Sequence, residues 1–472
     1  MGLKARIGVT PLELAVLCAL ALLIVAPFLC WPKSKLDGEV VTLWAYQTPT
    51  QRPLFQKAAA EFERRNPGIK VKIEEPSTWR EDKKLVAMQA GAMSDVIYVH
   101  FSVIPIHGAK NALLPLNELI ERDNYDMDDF FPIGPEAYTY NGQLMAMPHS
   151  GSTILMYYNK DLFDAEGVAY PNDDWTWEDF LEAAKKLTIR DKLGRLTQIG
   201  CQPYQRYTWI WSGGGEVAND DFSEFYFTSP ESLNALQFYT DLRNRWRVAS
   251  QGTGLSDGTP SAVDYFENGQ MAMSISGPWS LGAYLPIKDF EWDIALVPEG
   301  PGGRHTAYAG VGFSIWSGTK KKELAWRLIK FLCSKDGQKI FCEGFSDMPA
   351  RRSVTRDVFA KQETHFDMDT MLKSMAPEFA TLRVYPRTEL WQYFAEFYFG
   401  QEHEKAILGK KTLKEGMRAA ETRMQQYMSR RDATVTWGHY LGLAGLLTLA
   451  VGMVVRQFKV QQAGNVGPKA KR

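Results

Sequence analysis

Residues 39–74, EVVTLWAYQTPTQRPLFQKAAAEFERRNPGIKVKIE, contain the pattern that decides the fold. Residues 39–46 are rich in valine, leucine and aromatic side chains, which predicts a β-strand. A helix is predicted from about residue 53 to residue 65, because the Asn-Pro-Gly sequence at 66–68 is a common stop signal. Residues 69–74 alternate apolar and polar side chains, as a half-buried strand does. The stretch therefore predicts a strand–helix–strand unit.

The same alternation continues on both sides of a predicted turn at residues 140–142. Before the turn, a helix is predicted over 78–90 and a strand over 95–100. After it, a strand is predicted over 152–159 and a helix over 177–187. Strands and helices in this order are typical of parallel α/β sheets with right-handed crossovers. Two such series in a chain of 472 residues predict two α/β lobes.

The overall charge argues against a nucleic-acid partner. The chain has 54 lysines and arginines against 55 aspartates and glutamates, so no bulk positive field attracts a polyanion. Aromatic residues are abundant, with 14 tryptophans, 20 tyrosines and 25 phenylalanines. Most of them serve large cores, but the faces of aromatic rings also bind apolar surfaces and cations, so their placement is informative.

Both ends of the chain are apolar. Residues 14–31 are uncharged, lack a convincing cleavage site, and predict an N-terminal signal anchor or transmembrane helix within 1–32. A cleaved signal peptide is the alternative. Residues 437–455 predict a second transmembrane helix, followed by a basic tail at 456–472. By the positive-inside rule both termini are cytoplasmic, and residues 33–435 lie on the other side of the membrane.

Sequence motifs for catalysis or metal binding are absent. The seven histidines form no HxH or HExxH motif, and the chain contains no Walker loop. The segment GFSIW at 312–316 lacks the second glycine of a nucleophile elbow. We therefore predict a binding protein that is not an enzyme and has no metal or cofactor. Outside the apolar ends, Cys201, Cys333 and Cys342 are compatible with either one disulfide or isolated buried thiols.

The segment MAMSISGPWSLGAY at 271–284 reads as a buried strand that breaks at Gly277-Pro278 and then presents Trp279. Other aromatic residues near predicted strand ends are Trp44, Tyr46, Tyr204, Trp209 and Trp211. For each tryptophan alone, core packing and ligand contact are both open. Together they favour a cleft for a polyol, whose hydroxyl groups polar side chains would bind; the candidates are Gln47, Ser102, Ser152, Gln202 and Arg351.

The chain resembles the extracellular solute-binding proteins of carbohydrate-uptake ABC transporters, a group that includes maltose- and glycerol-phosphate-binding proteins. The matching blocks occur in the family's order between about residues 39 and 430. They include FERRNPGIKV (62–71), SDVIYV (94–99), YNGQLMAMP (140–148), WIWSGGGE (209–216), FENGQMAMSISGPW (266–279), GVGFSIWSGTKKKELAWRLIKFL (310–332) and MPARRSV (348–354). Each block is modest alone, but their common order makes the match specific.

The resemblance implies an α/β type II periplasmic-binding-protein fold with a hinge and an interlobe cleft. The expected amino-terminal lobe comprises residues 39–148 and 270–318, and the expected carboxy-terminal lobe comprises 149–269 and 319–431. Proteins of this family have no catalytic activity. They close on a sugar and deliver it to permease subunits, which work with an ATPase. The expected location is the bacterial cytoplasmic membrane, with most of the chain on the periplasmic side.

The resemblance also implies ligand-contacting positions. The residue after Gly-Pro stacks on sugar in maltose-binding relatives, which here is Trp279, and the segment that faces the cleft begins at His149. The acidic residue of the maltose type aligns with Ser152, so specificity for maltodextrin is not expected. The other implied contacts are Phe101, Ser102, Ser150, Thr153, Tyr204, Trp209, Trp211, Gly310, Arg351 and Trp391.

The predicted membrane spans depart from the family, whose members are free or lipid-anchored. They predict a receptor that is tethered beside its permease. The alternative is a ligand-sensing ectodomain of a membrane signalling complex. Only about 17 residues follow Val455, which is too few for a cytoplasmic signalling domain.

Overall fold

The computed structural model describes residues 39–48, 50–76, 81–219, 222–250, 262–343, 345, 348–391 and 393–430. In that part of the chain the strands are β1 (Glu39–Trp44), β2 (Ile69–Glu74), β3 (Val96–His100), β4 (Thr139–Tyr140), β5 (Gln143–Leu144), β6 (Met147–Ser152), β7 (Leu155–Asn159), β8 (Ile189–Arg190), β9 (Leu196–Gln202), β10 (Met271–Ser276), β11 (Trp292–Ala295), β12 (His305–Ala307), β13 (Ala309–Ile315) and β14 (Thr381–Arg383).

The α-helices of the same residues are α1 (Arg52–Arg65), α2 (Glu81–Gln89), α3 (Ile104–Ala109), α4 (Asn117–Arg122), α5 (Ile133–Ala137), α6 (Lys160–Ala165), α7 (Trp177–Lys186), α8 (Arg206–Ser212), α9 (Pro230–Asn244), α10 (Ala262–Glu267), α11 (Leu281–Tyr284), α12 (Lys322–Leu332), α13 (Lys335–Cys342), α14 (Arg352–Asp357), α15 (Met368–Lys373), α16 (Gln401–Ile407) and α17 (413–430). Short 3₁₀ turns lie at Phe101–Val103, Pro278–Ser280 and Phe359–Lys361, and a π-helix lies at Tyr393–Gly400.

The first sheet confirms the strand–helix–strand prediction. Its order is β2-β1-β3-β13-β6, and β1 pairs in parallel with both β2 and β3. Helix α1 connects β1 to β2 and buries one apolar face that includes Phe55 and Phe62. Strand β13 comes from far along the chain and runs antiparallel between β3 and β6. This sheet and its helices form the first lobe.

The second sheet corrects the predicted lobe boundaries. Its order is β11-β7-β10-β9-β8. Strands β10 and β11 therefore belong to the second lobe, although residues 270–318 were assigned to the first. Their sequences do not distinguish the two sheets, and pairing with β7 decides which one they join. The strand predicted over 152–159 is in fact two strands, β6 in the first sheet and β7 in the second.

Helix α12 corrects the other boundary. Residues 319–431 were assigned wholly to the second lobe, but α12 packs into the core of the first sheet through Leu324, Leu328 and Phe331. It follows β13 after a short turn, so its apolar face meets the sheet that β13 has just joined. Helix α17, in contrast, packs against the second-lobe core, with Met417 and Met424 fully buried there.

Two crossings of the chain lie next to each other, and we call them the interlobe joint. Thr153 and Ile154 connect β6 to β7, and Tyr308 connects β12 to β13. The buried Thr306 hydroxyl donates to the Ile154 carbonyl at 3.1 Å and accepts from the Ile154 N–H at 3.0 Å. Ser152 Oγ also donates to the Ala309 carbonyl at 3.0 Å. These bonds satisfy backbone groups that leave one sheet and have not yet entered the other.

The predicted membrane spans at 14–31 and 437–455 lie outside the described residues. The predicted basic tail at 456–472 lies outside them as well. Among the residues that the structure does describe, none of the helices combines the length and apolar character needed to cross a bilayer.

Thr306→Val should test the joint. Valine keeps the shape of threonine but leaves both polar groups of Ile154 without the hydroxyl, so we expect the free energy of unfolding to fall by about 1–3 kcal/mol. Thr306→Ser keeps the hydroxyl and should lose less. Chemical denaturation of the full chain in detergent measures both variants. A valine variant at least as stable as the serine variant would contradict the assigned role of these bonds.

Candidate ligand-binding site

Trp279 is the most exposed tryptophan of the described residues, with 37 % of its surface accessible. It follows β10, which is buried along its whole length and ends at Ser276, directly before Gly277. The Gly277 carbonyl accepts a hydrogen bond from the Tyr157 hydroxyl at 3.0 Å, which holds the strand end in place. A Cβ atom at position 277 would lie 2.2 Å from the Trp279 ring, so the indole occupies space that only glycine leaves open.

Tyr204 lies beside Trp279 at the same edge of the sheet. It follows β9, which pairs in parallel with β10, so the carboxyl ends of both strands meet there. The Tyr204 and Trp279 rings are T-shaped, with centroids 6.1 Å apart, and Tyr204 is 42 % exposed. Trp209 Nε1 donates to the Tyr204 carbonyl at 3.2 Å and so fixes the backbone of this residue. The two exposed rings form what we call the aromatic platform.

Tyr385 joins aromatic residues of both lobes. Its ring stacks on Phe101 of the first lobe at 5.4 Å and on Trp391 of the second at 5.2 Å. It also contacts Tyr207 edge to face at 5.6 Å, and its hydroxyl donates to Gln205 Oε1. Burial raises the pKa of Tyr385 well above its usual value, so the phenol stays neutral and able to donate. The contact between lobes is therefore aromatic.

Tyr385 is not among the predicted site residues. Two signals were available, an aromatic side chain directly before Pro386 and its position two residues before Arg387 in the block that leads to Trp391. Neither distinguishes it from the many other aromatic residues. Its role comes from β14, which pairs in parallel with β12 and so places Tyr385 next to the interlobe joint.

Three predicted contact residues, Trp209, Trp211 and Trp391, are buried in the second-lobe core. Trp209 is 3 % exposed and packs on Trp177 and Phe238 at 5.2 and 5.7 Å. Core packing accounts for that indole without a ligand. Trp211 is 2 % exposed and lies under the guanidinium group of Arg383 at 5.0 Å. A ligand contact from these three rings stays a prediction.

The predicted residues after β1 and β3 lie in the first lobe. Trp44 and Tyr46 are half-buried, and Trp44 packs against the first-lobe core. Gln47 is buried, donates to the Ala45 carbonyl at 3.4 Å, and lines a surface groove between α1 and β2. Ser102 is half-buried, and its hydroxyl is 2.8 Å from His100 Nδ1. A ligand contact from these four residues stays a prediction.

Four further predicted residues surround the interlobe joint. Ser152 and Thr153 are buried, and their hydroxyls bond to the Ala309 carbonyl and to Ser374 Oγ. A Cβ atom at Gly310 would lie 2.5 Å from the Tyr308 hydroxyl, which itself donates to the Ser150 carbonyl. These residues are engaged in holding the two crossovers together, so a direct ligand contact from them stays a prediction.

Arg351 is buried inside the protein at 3 % exposure. Its guanidinium group lies over the rings of Phe130 and Tyr125 at 4.3 and 5.4 Å. It donates to the Cys333 carbonyl at 2.7 Å and to Asp129 Oδ2 at 3.2 Å. These contacts account for the burial of the cation without a ligand, so a ligand contact from Arg351 stays a prediction.

The three cysteines of the described residues, Cys201, Cys333 and Cys342, are free and buried. Burial raises the pKa of each thiol, and that of Cys342 rises to about 12. Neutral buried thiols of this kind are unreactive. The alternative of a disulfide among these residues is therefore not realised in this structure.

Comparison with known proteins agrees with the fold. A family model described as bacterial extracellular solute-binding protein matches residues 48–339. A putative binding protein of Brucella abortus is 27% identical over 331 residues, which cover 68% of this chain and 78% of that protein. An arabinooligosaccharide-binding protein of Halalkalibacterium halodurans is 26% identical over 287 residues, covering 58% of this chain and 62% of that protein.

Solved structures agree as well. An ABC substrate-binding protein from Listeria monocytogenes, in complex with cycloalternan, superposes with a TM-score of 0.75 at 26% sequence identity. The match covers 83% of this chain and 100% of that one. This likeness confirms the predicted periplasmic-binding-protein fold of type II.

Arg351→Met should show that this arginine stabilises the first lobe. Methionine is long enough to pack on Phe130 but leaves the Asp129 carboxylate without its buried partner, so we expect the free energy of unfolding to fall by about 3 kcal/mol. The matched control is Arg352→Met, an exposed neighbour that should change it by less than about 0.5 kcal/mol. Equal effects of the two substitutions in denaturant titrations would contradict the structural role.

Proposed function

The chain belongs to the family of bacterial extracellular solute-binding proteins, and on that premise we propose that it captures a carbohydrate for an ABC importer. The observation that carries the proposal is the aromatic platform of Trp279 and Tyr204, exposed at the strand ends of the second sheet. Exposed apolar side chains that lie next to each other often mark a ligand-binding site. Two relatives support a carbohydrate as the ligand: one is named as an arabinooligosaccharide-binding protein, and the other was solved in complex with cycloalternan.

The platform suits one face of a sugar ring. The C–H groups of a pyranose or furanose form a flat apolar surface that packs on an indole, and Trp279 supplies the larger of the two faces. Tyr204, which meets Trp279 edge to face, adds a hydroxyl that can donate to or accept from the sugar. A mono- or oligosaccharide fits this arrangement best, and a sugar phosphate or polyol is a variant of the same proposal.

Capture proceeds by closure of the two lobes. A ligand that touches both lobes gains its full set of contacts only in the closed form, so binding shifts the population toward that form. The interlobe joint at Thr153–Ile154 and Tyr308 is the natural pivot, since the chain changes sheets there. The stacked rings of Phe101 and Tyr385 already form a contact between the lobes, and in the proposed mechanism this contact supports closure.

Delivery to the permease is proposed to occur beside the membrane. Apolar segments at 14–31 and 437–455 would anchor both ends of the chain, with both termini and the basic tail in the cytoplasm. The joints are short, about eight residues on each side, so the receptor stays within a few nanometres of the bilayer at roughly 3.3 Å per residue. Tethering raises the effective concentration of the loaded receptor at the permease without any new contact.

The carbohydrate ligand can be found by thermal shift. The full chain in detergent is screened against mono-, di- and oligosaccharides, polyols and glycerol phosphates, and a true ligand should raise the melting temperature by mass action. Trp279→Ala should then weaken binding of that ligand by about 1–3 kcal/mol while the unliganded melting temperature changes little, because the indole is exposed. Isothermal titration measures the affinity.

The matched control is Tyr226→Ala, since Tyr226 is 36% exposed and lies outside the platform. This variant should bind with unchanged affinity. A shift with an amino acid or a metal ion and with no carbohydrate would overturn the substrate class. If Trp279→Ala instead unfolds the protein while its folded fraction binds with normal affinity, Trp279 stabilises the core and does not contact the ligand.

The membrane tether has a separate test. Under the proposal, osmotic shock of cells leaves the full chain in the membrane fraction, and detergent is needed to extract it. A chain that ends at residue 431 should remain bound through the amino-terminal segment alone. Release of the intact full chain into the shock fluid without detergent would refute the tether and leave the carbohydrate proposal standing.

A further inference from the structure

A small internal cavity lies where β6 meets α13 and the residues that follow it. Its walls include His149 and Ser150 of β6, Gln338 of α13, and the apolar side chains of Phe341 and Pro349. The volume that the centre of a water molecule can occupy there is about 10 Å³. The cavity lies next to the point at which β6 leaves the first sheet for the interlobe joint.

Three polar atoms at this cavity have no hydrogen-bond partner among the described protein atoms. They are His149 Nδ1, Ser150 Oγ and Gln338 Nε2, and each is inaccessible to bulk solvent. The three residues are buried at 3 %, 2 % and 1 % exposure. Buried polar atoms are normally paired with protein or with ordered water, so three such atoms at one cavity need an explanation.

The other polar atoms of the His149 and Gln338 side chains already have partners, and these partners determine whether each remaining atom is a donor or an acceptor. The backbone of Leu332 interacts favourably with a proton on the His149 ring, and a neutral ring that carries this proton on Nε2 leaves the unpartnered Nδ1 as an acceptor. Gln338 Oε1 accepts from the Arg351 N–H at 3.0 Å, so Nε2 is left as a donor. The Ser150 hydroxyl can do either. The three unpartnered atoms therefore offer one acceptor, one donor and one group that can serve as both, and Gln51, Tyr98 and Cys342 line the same cavity.

We propose that this cavity is a binding site for a single internal water molecule. The molecule donates to His149 Nδ1, accepts from Gln338 Nε2, and exchanges its remaining bond with Ser150 Oγ. Its size matches the available volume, which is about that of one water and far too small for a sugar. Buried waters typically make about three hydrogen bonds, which is the number of partners present.

The site gives Ser150 and His149 a role that differs from the ligand contact expected for them. The water connects β6 to α13 and, through Gln338, to the backbone of Arg351. Desolvation lowers the pKa of His149 to about 3, so the imidazole is neutral at physiological pH and Nδ1 remains an acceptor. This role does not depend on the proposed carbohydrate function, because all partners of the proposed water are protein atoms.

Ser150→Ala in the full chain tests the site through the sign of its effect. If water bridges the three groups, the substitution removes one of its partners, and the melting temperature should fall by about 1–4 °C. If the cavity is dry, the same substitution removes an unpaired hydroxyl, and the melting temperature should stay the same or rise. Either result is independent of whether the chain binds a carbohydrate.

A crystal structure of the full chain in detergent provides the second measurement, which holds even if the variant folds poorly. It should show one ordered water within hydrogen-bond distance of His149 Nδ1, Ser150 Oγ and Gln338 Nε2. A cavity without density, or a Ser150 hydroxyl bonded to a protein atom instead, would overturn the proposal. In ¹⁵N spectra of histidine-labelled protein, His149 should remain the neutral Nε2–H tautomer from pH 8 to pH 5.

Discussion

The bond between the Thr306 hydroxyl and the backbone of Ile154 is the constraint on which the two-lobed arrangement depends. Each lobe has its own sheet, and the chain crosses from the first to the second through Thr153 and Ile154 and returns to the first through the short strand β12 and Tyr308. Backbone groups in such segments lie outside both ladders and still need partners in the interior. A single hydroxyl that donates to and accepts from the same residue provides them in the smallest possible space.

The aromatic contact between the lobes depends on the same joint. Strand β12, which lies immediately before the crossing at Tyr308, pairs with β14. Tyr385 lies two residues after the end of β14 and is therefore close to the joint. Phe101 contacts both Tyr385 and Tyr308, and the Tyr308 hydroxyl bonds to the Ser150 carbonyl. Rotation at the joint would therefore change the stacking between lobes and the walls of the internal cavity together, which couples the candidate site to its pivot.

The local elements were predictable because short-range signals specify them. The helix predicted over residues 53–65 is α1 (Arg52–Arg65). The helix predicted over 177–187 is α7 (Trp177–Lys186), and a reciprocal capping box between Thr176 and Asp179 begins it. At the site, the exposed Trp279 was expected after the Gly-Pro break. The environment of Arg351 and the position of Tyr385 were not, since both depend on contacts with residues more than 150 positions away.

The sequence by itself determined the strands and helices, the strand end that presents Trp279, and the family to which the chain belongs. Tertiary structure alone decided which sheet receives each strand and which aromatic rings remain exposed. The physical reason is that a strand buried along its whole length, such as β10, is suited to either core, and only its register with β7 and β9 selects one. Burial of Trp209 and exposure of Trp279 follow from that selection.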